Sequence, residues 1–123
     1  MIGILCSCVS PYIAANIPCN QPGTMWSTAD GTVTFSVEEK ASFVQAQIIT
    51  EAGAIDIVIA MSATTSDLHI AYKNDFDSMK EEDPFPHFAL WRYQEVEKDH
   101  FVVEVLHTVY FQPGEILTFY KAD

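Results

Sequence analysis

From residue 23 onward the chain alternates apolar and polar positions with a period of two, the repeat of an extended strand. Val33, Phe35 and Val37 share one face of a predicted strand over 31–37, with hydroxyl side chains on the other. The same repeat predicts strands over 24–29, 43–50, 54–62, 66–73, 87–96, 100–110 and 116–121. Leu68, Ile70 and Tyr72 fall together in one of these, and Phe101, Val103 and Val105 oppose Val102, Glu104 and Leu106 in another. Between the runs stand turn residues: Asp30-Gly31, Glu38-Glu39-Lys40, Glu51-Ala52-Gly53, Glu97-Lys98-Asp99 and Gln112-Pro113-Gly114. Gly53 is suited to the positive φ of a tight hairpin. Residues 74–86 break the pattern with acids and two prolines, which predicts a long loop carrying one helical turn capped by Asp75 or Asp77. About eight short antiparallel strands at regular spacing predict an all-β meander, and closure into a small barrel is the expected form because it removes exposed edges. The predicted core is Val33, Phe35, Ile57, Ile59, Leu68, Ile70, Phe101 and Val103.

Composition fits this picture and narrows the partners. The 123 residues suffice for one core, and 49% hydrophobic against 19% charged residues predicts a folded chain. The net charge of -11, from 17 acidic and 6 basic side chains, argues against nucleic acid and against adsorption to anionic lipid. It would attract a cationic protein or peptide over a screening length of roughly 8 Å at physiological salt, the alternative being a soluble acidic surface with no partner. The longest apolar stretch, 52–63, is interrupted by Asp56 and falls short of the roughly 20 residues a membrane-spanning helix needs. No phosphate-binding, zinc-protease, nucleophile-elbow or EF-hand pattern occurs, so neither an enzymatic reaction nor a cofactor is expected.

Cys6, Cys8 and Cys19 lack the Cys-x-x-Cys spacing of a zinc knuckle, and no histidine precedes His69. A disulfide from Cys19 to Cys6 or Cys8 would staple only an arm. Leu5-Cys6-Ser7-Cys8 resembles a bacterial lipobox, with leucine three places before the modified cysteine and a small residue directly before it. That resemblance implies a lipid on Cys8, with residues 1–8 the end of a signal segment whose remainder lies upstream. Residues 9–22, rich in proline and asparagine, are then expected to form a flexible tether to a domain over 23–123. The expected location is extracellular, touching the cell membrane only through the anchor.

A wider likeness points the same way. Asn20-Gln21-Pro22-Gly23-Thr24-Met25-Trp26 followed by an Asp-Gly turn, Lys98-Asp99-His100-Phe101-Val102-Val103, and Leu117-Thr118-Phe119 lie at the two ends of the strand-rich region. In these pieces the chain resembles a group of small, mostly uncharacterised lipoproteins of Gram-positive bacteria. The resemblance implies an exported strand-rich domain and no particular activity. The Gly-x-x-Trp opening is similar, with one extra residue, to the Gly-x-Trp of lipocalins, where the tryptophan plugs one barrel end, which implies a lipocalin-like small barrel.

Candidate chemistry is sparse. His69, His87, His100 and His107 lie on or beside presumed strands, where scattered surface positions outweigh a shared metal site. Asn74, Asp75, Asp77, Glu81, Glu82 and Asp83 offer oxygen ligands but lack the central glycine of a calcium loop, so a solvated acidic loop is expected. Asp56 and Glu104 interrupt apolar strands as a glycosidase pair would, or as solvent-facing residues do. Of Trp26, Tyr72, Trp91, Tyr93, Tyr110 and Tyr120, Trp26 and about half the rest are expected inside the barrel. Trp91 and Tyr93, two apart, offer instead an exposed stacking platform beside Arg92. The resulting expectation is a non-catalytic binding module. Its binding residues would be Asp75, Phe76, Asp77, Glu81, Glu82, Asp83 and Phe85 on the loop, with Trp91 and Tyr93 on a strand. A calyx for a small apolar ligand and a structural envelope component without a ligand are the competing roles.

Overall fold

An alternating run becomes a strand when its apolar face has a second apolar face to meet, and here all of those faces meet one another. The computed structural model describes residues 17–39, 43–61 and 66–122. The strands are β1 (Thr24–Thr28), β2 (Val33–Val37), β3 (Phe43–Thr50), β4 (Gly53–Met61), β5 (Asp67–Tyr72), β6 (His87–Val96), β7 (His100–His107) and β8 (Ile116–Lys121). One short helix, α1 (Lys73–Ser78), follows β5, and a 3-10 turn (Pro18–Asn20) precedes β1. Each strand pairs antiparallel with the next, and β8 returns to β1 through Trp26↔Lys121, Ser27↔Tyr120 and Thr28↔Phe119, closing the barrel. No helix among the described residues is long and apolar enough to cross a membrane. The 3-10 turn and the β6–β7 turn lie at one end of the barrel. The β1–β2, β3–β4, β5–β6 and β7–β8 connections leave from the other end, its mouth.

All eight predicted core residues are buried. Aromatic rings fill the axis: Phe101 stacks on Phe119 at 4.7 Å, with Trp26 5.4 Å from Phe101 and Trp91 6.0 Å from Phe119. An eight-stranded barrel is just wide enough for its side chains to fill, and this one is filled in that way. Trp26 also donates its indole N–H to Thr24 Oγ1 at 2.8 Å, under the Lys121 ammonium.

Four expectations change. Trp91 and Tyr93 form no exposed platform: they share the inward face of β6 with Ala89, and only 1% and 7% of their surface stays exposed. Arg92 points outward between them and pairs with Asp67 at 2.9 Å. The tether expected over 9–22 is structured from residue 17, because Ile17 and Cys19 bury their side chains in the core. Gly23 holds this segment down by donating its N–H to the Val37 carbonyl. Residues 9–16, Cys6 and the proposed lipid site Cys8 lie outside the described residues. The helical turn in the 74–86 segment exists, but neither Asp75 nor Asp77 caps it. Its N-cap is Tyr72, without a side-chain bond, and Asp77 pairs with Lys73 one turn earlier at 2.8 Å. Finally, the strand predicted over 100–110 ends at His107, and Tyr110 and Phe111 fold back against the core.

Two buried polar atoms, Trp91 Nε1 and Tyr93 OH, have no hydrogen-bond partner among the described residues. Burial pushes the Tyr93 phenol well above its ordinary pKa, and the neighbouring Cys19 thiol adds to the effect. A hydroxyl that has left water without gaining a bond costs roughly 1–3 kcal/mol. Tyr93→Phe removes that hydroxyl and keeps the ring edge-on to Phe101 at 5.8 Å. It is therefore expected to stabilise the fold by about 1 kcal/mol, read as a higher urea midpoint at unchanged slope. A lower midpoint would mean that the hydroxyl has a partner it depends on.

Candidate functional site

The acidic segment folds back along the outside of the barrel. Val58 and Ala71 are buried although their neighbours Ile57, Ile59 and Ile70 take the inward positions, and α1 packing against β4 and β5 accounts for their cover. Phe76 and Phe85, expected as anchors, are half-buried on this wall at 5.2 and 6.0 Å from Phe43. His69 meets Phe85 edge-on at 6.5 Å and His87 at 5.0 Å. Asp75, Asp77, Glu81, Glu82 and Asp83 remain exposed around these rings. Asp83 is partly engaged, accepting the backbone N–H of Lys80 at 2.8 Å. The structure thus keeps the loop residues together and removes Trp91 and Tyr93 from them.

Phe43, half of whose surface is exposed, connects this cluster to a feature the sequence did not announce. The β2–β3 ladder holds only Val33↔Ile48, Thr34↔Gln47 and Phe35↔Ala46. Beyond Phe35 the two strands part, and a crevice of about 590 Å³ opens between them. Phe35, Val37, Val44 and Ala46 line its apolar side, while Glu38, Glu39 and Asp56 supply acids. Among the described residues its one cation, Lys73, is already paired with Asp77. The one advance sign was Phe43 itself, which stands in register with Gln45 and Gln47 on the polar face of its run.

A second cleft, of about 520 Å³, lies at the mouth between the β3–β4 hairpin and the 109–111 segment. Ile49 and Val109 are exposed there, beside Tyr110, Phe111 and Glu51. Tyr110 meets Tyr72 hydroxyl to hydroxyl at 2.9 Å. That bond, together with burial, holds the Tyr72 phenol up to about 12, so it is neutral at physiological pH. Tyr72 also stacks on Phe88 at 4.2 Å.

The remaining candidates do not converge. Asp56 and Glu104 stand three strands apart around the barrel, each bonded to a cross-strand glutamine amide, Gln47 and Gln94. Among the described residues no three His, Cys, Asp or Glu side chains group as metal ligands. His100 is clasped at the β6–β7 turn, 2.9 Å from Asp99 and 2.7 Å from Glu95. These carboxylates, Asp99 first, raise its pKa, while His100 lowers that of Asp99. A raised histidine pKa stabilises the fold fully below the unfolded value near 6.5, and the stabilisation fades as pH rises through the folded value. The difference in melting temperature between the parent and His100→Gln is therefore expected to be larger at pH 6 than at pH 9. A difference that stays constant across that range would rule the clasp out as an ion pair.

Comparison with protein-family models, with curated proteins and with solved structures returns no match for this chain.

Proposed function

We propose that this protein is a non-catalytic binding module that captures a basic protein or peptide on the outer face formed by β2, β3, β4 and α1. The observation that carries the reading is the position of Phe43. It is an exposed aromatic ring shared by the Phe76–Phe85 cluster and the crevice, with Glu38, Glu39 and Asp56 on one side and the 75–83 acids on the other. Acids at the rim set the rate and selectivity of encounter with a cation, and an aromatic centre gives residence. The filled axis disfavours a calyx deep in the barrel. The apolar mouth cleft still supports a second reading, a shallow site for a small apolar ligand, whose binding would be insensitive to salt. Export and a lipid on Cys8 belong to the proposal as well, since a surface location would give such a face access to external basic polypeptides.

The test is titration with oligolysine and with small basic proteins at two salt concentrations. Binding is expected to weaken strongly as salt rises. Replacing Glu38, Glu39, Glu81, Glu82 and Asp83 together by serine should weaken it about tenfold or more, since each surface charge contributes up to about 1 kcal/mol. Identical affinities with and without those acids would defeat the reading. Phe43→Ser should lower affinity at every salt concentration alike.

A further inference from the structure

We propose that His69 and His87 form a two-imidazole site on the outer wall for a late first-row divalent metal ion, with water in the remaining coordination positions. Such a site exists whether or not the neighbouring face captures a polypeptide. Strict strand alternation would keep these two side chains apart. On β5, Leu68 and Ile70 turn into the core, so His69 between them faces outward. On β6, Ala89 and Trp91 turn inward, and alternation would send His87 inward with them. The β5–β6 ladder instead passes from Ile70↔Ala89 to Ala71↔His87, a register shift that leaves Phe88 without an opposite residue. Phe88 packs against the core and stacks on Tyr72 at 4.2 Å, so two successive side chains, Phe88 and Ala89, lie on the barrel side. His87 then emerges on the outer wall, exposed, with its ring centroid 5.0 Å from that of His69. A bulge often serves to re-aim one side chain beside a site of recognition.

The spacing suits chelation. A metal bound through a ring nitrogen at about 2.0–2.1 Å lies about 3.2 Å from the centroid of that ring. Two imidazoles at about 90–110° around one ion therefore have centroids roughly 4.5–5.2 Å apart, an interval that contains the observed 5.0 Å. The ring planes are inclined by 70°, and rotation about each Cβ–Cγ bond, a soft torsion, turns one nitrogen of each toward a common point. The backbone beneath His87 is already restricted. Pro84 and Pro86 limit the approach to it, and its N–H donates to the Phe85 carbonyl at 2.9 Å. The Phe85 ring meets His69 edge-on at 6.5 Å. Both imidazoles are thus placed before an ion arrives, which limits the ordering cost of binding it.

The donor type selects the ion. Imidazole suits zinc, copper and nickel, whereas calcium and magnesium take oxygen ligands. No third His, Cys, Asp or Glu joins the pair among the described residues, so the ion keeps open positions and exchanges with solvent. The net charge of -11 favours the approach of any cation.

The probe is Ni2+ added to the full chain, because its paramagnetism broadens the proton resonances of the histidines that ligate it. The ring protons of His69 and His87 are expected to broaden together, before those of His100 and His107. In His69→Gln, about tenfold more Ni2+ or greater should be needed to broaden His87, and His87→Gln should have the reciprocal effect on His69. His107→Gln should leave both unchanged. Equal broadening of all four histidines would overturn the site, and this readout needs no variant. Broadening of His87 at the same Ni2+ concentration with and without His69 would also overturn it, since the two rings would then be isolated surface imidazoles.

Discussion

Closure of β8 onto β1 is the constraint on which the rest of the molecule depends. Three register pairs turn an eight-strand meander into a cylinder, and only a cylinder gives every inward side chain an opposing surface. The ring stack of Phe101 on Phe119 spans the strands next to that junction, and Trp26 packs against it from β1. Without the junction, β1 and β8 would each present an unpaired edge, and the aromatic axis would open to water. Closure also restricts where a ligand can go. An axis occupied by large side chains leaves the outer wall, the mouth and any discontinuity in the wall as places for recognition.

The discontinuity arises from a mismatch of strand lengths. β2 has five residues and β3 has eight, and β2 is committed on its other side to β1. Near the mouth the two strands pair; toward the other end they diverge. The acidic pair Glu38-Glu39 follows the last residue of β2, at the point where a continuing strand would have met Phe43. One local feature therefore produces both the opening and the charge beside it. The helical segment after β5 extends the same surface, because Phe76 and Phe85 reach Phe43 from across the outer wall.

The strands were legible because alternation fixes which residues turn inward, and every core position inferred from it is buried. The strand over 87–96 shows where that logic stops. Its first half is apolar on both faces, Phe88 and Leu90 against Ala89 and Trp91, so only Arg92 and Gln94 mark the outer face. Register irregularities beside Trp91 and Tyr93 further separate local pattern from the final arrangement. The structured segment from Ile17 was illegible for a different reason: proline-rich composition describes a tether well, and two apolar side chains finding the barrel end are a tertiary event. The crevice was illegible too, since it depends on how far two strands agree in register, which neither strand carries alone. The acidic segment contains the one helical turn expected of it, but neither Asp75 nor Asp77 caps that turn, and its phenylalanines lie against the barrel rather than standing free.

Both ends of the described chain leave the barrel on the side away from the mouth. Ile17 is buried there, and the Ala122 N–H donates to the Met25 carbonyl close by. A group attached directly at Ile17 or Ala122 would therefore lie on the side of the barrel away from the mouth. The seam between β2 and β3 would then stand upright on the flank.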